Sequence, residues 1–184
     1  MIYDLEQKVN EIFRTPSDIN EHIPAIIKYG QKCDHITEMG VRGIVSTWAW
    51  LAASPKKLIA YDLDDPSKWG GVIQDVYDTA EAYNLDFTFI EGDVLKLEIE
   101  ETDLLFLDTW HVYEQVRDEL KLHADKVRKY ICFHDIVSWG ERGETAGHKG
   151  INYAIDEFLE NHPEWQVKER FTNNNGFLII ERIK

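Results

Sequence analysis

The chain has 184 residues, 43% of them hydrophobic, with 34 Asp and Glu against 20 Lys and Arg and a formal net charge of −14. That length and apolar content fit a folded domain with a full core and exclude a disordered chain. The acidity argues against binding phosphate backbones, and no apolar run reaches the length of a membrane span, so neither nucleic acid nor membrane is an expected partner.

Residues 3–14 and 18–29 have helical patterns, with Pro16 between them and Ser17 or Asp18 placed to cap the second. Strand and helix then alternate: strand 34–38, helix 44–54, strand 57–62, helix 70–83, strand 86–90, strand 103–108, helix 112–128, strand 130–134 and helix 150–161. Short apolar runs alternating with amphipathic helices form parallel sheets covered on both faces. Residues 165–171 and 176–182 are two further strands. The stretch Thr172-Asn173-Asn174-Asn175 between them is too short for a crossover, so they form an antiparallel hairpin. The expected class is α/β, a three-layer fold with a mostly parallel seven-stranded sheet and a C-terminal antiparallel hairpin. One domain is expected over 1–184, with residues 1–29 as N-terminal helices and 30–184 as the core. Lys121, Lys126, Arg128 and Lys129 are interleaved with Asp118, Glu119 and Asp125 and read as a solvated helix face. The acidic start Met1-Ile2-Tyr3-Asp4-Leu5-Glu6 has no apolar segment. A cytoplasmic location is therefore expected, with Cys33 and Cys132 as reduced thiols.

Two segments carry the chemistry. Glu38-Met39-Gly40-Val41-Arg42-Gly43 joins the first strand to a helix, and such a glycine turn lets a ligand approach free backbone N–H groups. Leu104-Leu105-Phe106-Leu107-Asp108-Thr109-Trp110-His111 is a buried strand ending in an acid and then a histidine, at the sheet edge where open α/β folds bind ligands. Asp62 ends the second strand, where a carboxylate can hold both hydroxyls of a ribose. Its rival role is helix capping, and Asp64 and Asp65 compete for either. Asp93, in Gly92-Asp93 after the third strand, faces an adenine amino group or is an ordinary turn acid. His111 can take a proton from an attacking hydroxyl, with a pKa expected near neutrality. His134-Asp135 ends the fifth strand. With Asp108 these residues form a candidate metal set; without metal, Asp135 orients His111 or binds substrate. The segment 138–150, with four glycines, is either a surface loop or a lid. Trp110 and Trp139 are stacking walls or structural packing.

These residues together resemble class I S-adenosylmethionine-dependent methyltransferases, over roughly residues 30–184. Within that group the chain is similar to the macrolide-sugar O-methyltransferase and cephalosporin-hydroxylase-like branch. The reversed final strand fits that Rossmann-like methyltransferase fold, and His111-Val112-Tyr113-Glu114 looks like the branch's His-x-Tyr-Glu motif. The resemblance implies a cofactor set of Glu38, Gly40, Gly43, Ser46, Asp62, Gly92, Asp93 and Asp108. It also implies metal binding by Asp108 and a general base at His111. Gly43 comes one position earlier than in the catechol enzyme of the same superfamily, and His134 stands where metal-dependent members have an acid.

The expected function is transfer of a methyl group from S-adenosyl-L-methionine to a hydroxyl of a small molecule, with a sugar as first candidate. His111, Asp108 and Asp135 are the catalytic residues, and Asp108, His134 and Asp135 the ligands of a magnesium or manganese ion. Whether the chain forms a homo-oligomer stays open. One alternative is a non-catalytic module that binds the same cofactor. Another, an NAD-dependent oxidoreductase, is disfavoured by the terminal hairpin and the lack of a full GxGxxG.

Overall fold

Asp4 starts the first helix by accepting the Gln7 N–H, and α1 runs Leu5–Arg14. The expected helix 18–29 begins later, at Ile23. Ser17 and Asn20 exchange hydrogen bonds, with Asn20 N donating to Ser17 Oγ (3.0 Å) and Ser17 N to Asn20 Oδ1 (3.1 Å). That exchange closes a short 3-10 turn at Asn20–His22. Pro24 has no N–H and then takes its place in the first turn of α2, Ile23–Gly30. This computed structural model describes residues 1–183, and the chain divides into two compact units, Met1–Asp93 and a second that begins at Val94.

The first unit continues with β1 (His35–Met39), α3 (Val45–Ala52), β2 (Lys57–Asp62), a 3-10 turn at Pro66–Trp69, α4 (Ile73–Ala82) and β3 (Asp86–Glu91). β2 lies between β1 and β3 and is parallel to both, with Met39 beside Tyr61 and Asp62 beside Glu91. Every residue of β1 is buried. α3 is mostly apolar, and Ser46 through Leu51 are all buried, as in a helix enclosed by its neighbours. α1 and α2 both pack against it.

The second unit contains β4 (Thr102–Leu107), α5 (Tyr113–His123), β5 (Val127–His134), α6 (Ile151–Asn161), β6 (Trp165–Phe171) and β7 (Phe177–Arg182). β4 is wholly buried, and each Leu or Phe it hides contributes roughly 1.5–3 kcal/mol. It runs parallel to β5, while β7 pairs antiparallel with both β5 and β6. The chain thus provides the seven strands of a mixed, mostly parallel sheet whose C-terminal strands are antiparallel, the expected class. Among the described residues no helix is long and apolar enough to cross a membrane.

One expected boundary moves. The helix predicted over 112–128 ends at His123, and after a 3-10 turn at Ala124–Lys126 the strand starts at Val127 rather than 130. Arg128 and Lys129 therefore belong to β5, where both pair with buried Asp103, at 3.1 Å and 3.5 Å. Glu119 also departs from the solvated face assigned to it, because it is fully buried.

Three of the four glycines of 138–150, Gly140, Gly143 and Gly150, serve close packing, while Gly147 stands in open space at φ +91°. A Cβ on Gly150 would lie 2.2 Å from the Gly140 carbonyl oxygen and 2.4 Å from that of Trp139. The loop is bridged at Arg142–Lys149, and Gly143 N donates to His148 O (3.0 Å). Gly150→Ala is expected to force the two backbone strands at the loop's base apart and to cost roughly 1–3 kcal/mol. Urea denaturation would measure this, and an unchanged midpoint would show that the crossing tolerates a side chain.

Candidate active site

In the first unit the site is built on backbone. Gly40 extends β1 by donating its N–H to Tyr61 O (2.9 Å) and turns in the left-handed region at φ +88°. The next two left-handed residues are Arg42 (φ +47°) and Ile44 (φ +60°), which flank Gly43. Gly43 itself is not left-handed, and a Cβ there would meet only the Trp69 carbonyl oxygen, at 3.7 Å. Non-glycine residues in that region cost about 1–3 kcal/mol each and persist only where neighbours enforce them. Asp62 is the enforcing group: its Oδ2 accepts from Val41 N (2.7 Å) and Arg42 N (2.9 Å), and its Oδ1 from Asp64 N (3.1 Å). A carboxylate offers about four lone-pair sites, so roughly one is left for a ribose hydroxyl. Asp65 takes the capping role, accepting from Ser67 N (2.8 Å) at the turn that follows.

The other residues of the expected cofactor set lie around this loop. Glu38 at the end of β1 is fully buried and accepts the Ser46 hydroxyl at 2.6 Å, tying the strand to the first turn of α3. Gly92 N donates to Asp62 O (2.7 Å), which holds half-buried Gly92 and Asp93 beside the end of β2.

In the second unit the ionisable residues converge. Asp108 follows β4, His111 lies in the turn before α5, His134 ends β5, and Asp135 follows it at φ +61°. His111 Nε2 is 3.1 Å from Asp108 Oδ1 and 3.1 Å from Asp135 Oδ2. Its Nδ1 is 3.0 Å from Glu144 Oε2. His134 is buried, with Nδ1 at 3.1 Å from Asp108 Oδ1 and 3.3 Å from Asp135 Oδ2. Ligand atoms of Asp108, His111 and Asp135 all lie within 4.8 Å of one another, so the convergent set includes His111 where the sequence suggests His134. The second carboxylate oxygen of Asp135, Oδ1, is buried and accepts no hydrogen bond among the described residues.

Charge sets the protonation of this cluster. Burial disfavours the His111 cation, but the hydrogen bond and charge of Asp108, with Asp135 and Glu144, outweigh it and raise the pKa to about 9. This corrects the near-neutral expectation, since three carboxylates surround one ring. Burial likewise opposes the His134 cation, and Asp108 and Asp135 raise it to about 11. Burial works against the Asp108 carboxylate, yet the two imidazoles hold it well below the usual carboxylate range.

Two participants were not foreseen. Glu119, on α5, accepts the Thr109 hydroxyl (2.6 Å) and the Gln115 amide (2.8 Å), so it grips the turn between Asp108 and His111. Burial pushes its carboxyl up to about 7. In sequence it was one acid among interleaved lysines. Glu144 lies 33 residues from His111 with no spacing to connect them; the only hint was that its loop follows Asp135. Trp110 stands half-exposed beside that loop, donating Nε1–H to Thr145 Oγ1 (3.1 Å), with its ring 5.4 Å from that of His148. Trp139 lies at the base of the same loop, where its N–H donates to Asp135 O (2.9 Å).

No protein-family model and no curated protein sequence matches this chain. Solved structures match it in fold. It is similar to the methyltransferase PaMTH1 of Podospora anserina with S-adenosylhomocysteine bound, at 18% identity and TM-score 0.63, over 98% of this chain and 88% of that one. It is similar to an O-methyltransferase of Bacillus cereus in complex with the same compound, at 14% identity and TM-score 0.66, over 99% and 92%. It is also similar to the magnesium protoporphyrin IX methyltransferase of Synechocystis, at 12% identity and TM-score 0.64, over 96% and 92%. At these identities the likeness is one of fold, and the fold is that of the class I S-adenosylmethionine-dependent methyltransferases.

Two predictions follow from this geometry. Asp62→Ala removes the acceptor of three backbone N–H groups and is expected to destabilise the ligand-free protein by roughly 1.5–3 kcal/mol. A calorimetric scan without ligand would show it; an unchanged melting temperature would mean the loop holds itself.

The second concerns pH in the presence of a chelator. His111 and His134 have folded pKa values above their ordinary 6.5, so their stabilisation is complete below about pH 6.5 and is lost as pH rises toward 9 and beyond. Asp108, held low, stabilises above its ordinary 3.8 and loses that contribution as pH falls. Stability should therefore decline from pH 6.5 to 9, by roughly 3 kcal/mol through His111 alone, and His111→Ala should flatten the slope. Denaturant titrations across pH would decide; equal slopes would remove His111 from the cluster's charge balance.

Proposed function

We propose that the chain is an S-adenosylmethionine-dependent O-methyltransferase that methylates a hydroxyl of a small molecule, with a sugar as first candidate. The observation that carries this reading is the meeting of His111 Nε2 with Asp108 and Asp135 at the carboxyl ends of β4 and β5, in a fold whose solved examples hold S-adenosylhomocysteine. The cofactor is assigned to Glu38, Gly40, Gly43, Ser46, Asp62, Gly92 and Asp93, all in the first unit. The residues fit such a group: Gly40 turns at φ +88° with no side chain, and the Asp62 carboxylate, with three N–H groups on about four lone-pair sites, retains acceptor capacity. Bound S-adenosylmethionine supplies an electrophilic methyl. The protein's work is to align an oxygen with it and remove that oxygen's proton.

His111 is the proton acceptor in this reading, through Nε2. Its ring bears a proton while the carboxylates enclose it, so it becomes a base only after giving that proton up. The buried, unpartnered Asp135 Oδ1 beside Asp108 fits a divalent cation, since hard ions take oxygen donors. Asp108 and Asp135 would hold magnesium or manganese, with His134 beside them. Such an ion would polarise the acceptor oxygen. The alternative, a module that binds cofactor without turnover, is favoured by the occupation of both His111 nitrogens by carboxylates.

Screening sugars and phenols with labelled cofactor would identify an acceptor and separate these readings; failure of every acceptor despite cofactor binding supports the module. With an acceptor, His111→Ala is expected to lower turnover roughly a hundred- to ten-thousand-fold while S-adenosylhomocysteine affinity stays the same. Without divalent ions the wild-type rate should rise with pH toward about 9 as the ring loses its proton. Wild-type turnover by the variant would end the base assignment.

A further inference from the structure

The glycine loop that joins β1 to α3 has few backbone donors left for a ligand. Gly40 N donates to Tyr61 O (2.9 Å), Val41 N and Arg42 N to Asp62 Oδ2 (2.7 Å and 2.9 Å), and Ile44 N to Val41 O (2.9 Å). The N–H groups that come next belong to the first turn of α3, where Ser46 and Thr47 are buried. The loop is also framed by carboxyl groups, Glu38 before it and Asp62 beside it. One strong donor stands outward. Arg42 is the only Lys or Arg between Glu38 and Ser46, and its side chain is 68% exposed. Its guanidinium lies 5.3 Å from the centre of the Trp69 ring, and Nη1 is 3.4 Å from Asp18 Oδ2. The turn that carries Trp69 abuts the same loop. A Cβ on Gly43 would lie 3.7 Å from the Trp69 carbonyl oxygen, and one on Gly71 would lie 3.3 Å from Ile44 Cγ1.

The amino-acid end of S-adenosylmethionine carries an ammonium and a carboxylate. Carboxyl groups can answer the ammonium, but the carboxylate needs donors or a cation beside it. A guanidinium meets a carboxylate through two parallel N–H···O bonds, so Arg42 has the right chemistry. Its partners in the ligand-free protein leave it available. A single 3.4 Å contact between two exposed side chains is weak, and an aromatic ring attracts the cation without neutralising it. We propose that the Arg42 guanidinium is the group that receives the cofactor's carboxylate, with Trp69 and Asp18 holding the side chain when no cofactor is bound. The assignment rests on the reading of this loop as part of the cofactor's site. It divides the work of the loop in two. Backbone N–H groups fix its shape through Asp62, and one side chain supplies the positive charge that the shape alone does not.

The test compares two ligands by titration calorimetry, S-adenosylhomocysteine and its decarboxylated analogue, which keeps the adenosine, the thioether and the ammonium. The wild type should bind the analogue about ten-fold or more weakly, the loss expected for a charge-assisted pair. Arg42→Ala should bind S-adenosylhomocysteine about ten-fold or more weakly and the analogue as the wild type does, so that the variant no longer tells the two apart. Arg42→Lys keeps the charge but loses the fork, and its affinity for S-adenosylhomocysteine should fall between. An Arg42→Ala variant with wild-type affinity for S-adenosylhomocysteine would overturn the proposal. So would equal losses for both ligands, which would mark Arg42 as a residue that only shapes the loop. Both of those results leave the cofactor reading standing. A wild type that binds neither ligand would overturn that reading and the proposal with it.

Discussion

A buried negative charge must be compensated where it lies, and that requirement organises the second half of this chain. Asp108 and Asp135 sit at the ends of adjacent parallel strands, one half-buried and one buried. Ionised carboxylates in such a place are tolerable only with opposite charge or strong donors beside them. His134 supplies one partner from β5 itself, and His111 supplies the other from the turn before α5. With two imidazoles between two acids, the protonation of Asp108 and of both rings is set by their neighbours. The Asp135 backbone is left-handed, and in that conformation its carboxylate meets both rings.

The first half answers a different need with the same chemical group. Its glycine loop contains two non-glycine left-handed residues, a shape the chain would not hold by itself. The Asp62 carboxylate gathers the N–H groups of Val41 and Arg42 and keeps that shape. An acid placed to bind a ligand is thus also part of the wall of its own site. The two uses are compatible, because backbone bonds that orient a carboxylate also orient whatever lone pair remains.

Much of this was legible in the sequence. The alternation of apolar strands with amphipathic helices survives any detail of side-chain contact, so seven strands, mostly parallel and ending in an antiparallel hairpin, could be read from it. The pairing of Asp108 with His111 was legible because both follow one buried run. Features decided by local competition were not. The start of α2 is set by the exchange between Ser17 and Asn20, and the start of β5 was masked because Arg128 and Lys129 are charged strand residues answered by a buried acid. Glu119 looked like surface because its neighbours are charged, and only the fold turns it inward. Glu144 reaches His111 across 33 residues, and a linear reading places its loop after Asp135 without pairing the two residues. The glycines of 138–150 suggested motion, whereas those at its base permit two backbone segments to touch.

The strand pairing of the C-terminal hairpin has a consequence for biosynthesis. β7 lies between β5 and β6, bonded to both. Until residues 177–182 leave the ribosome, β5 has an uncovered apolar edge, and β6, made earlier, has no neighbour to join. The nascent second unit must therefore wait as an unfinished sheet until β7 has been made. An exposed strand edge of this kind is a template for unwanted pairing. The hydrogen bonds that complete the sheet are also those that end its hazardous period, and truncation within β7 would prolong that period indefinitely.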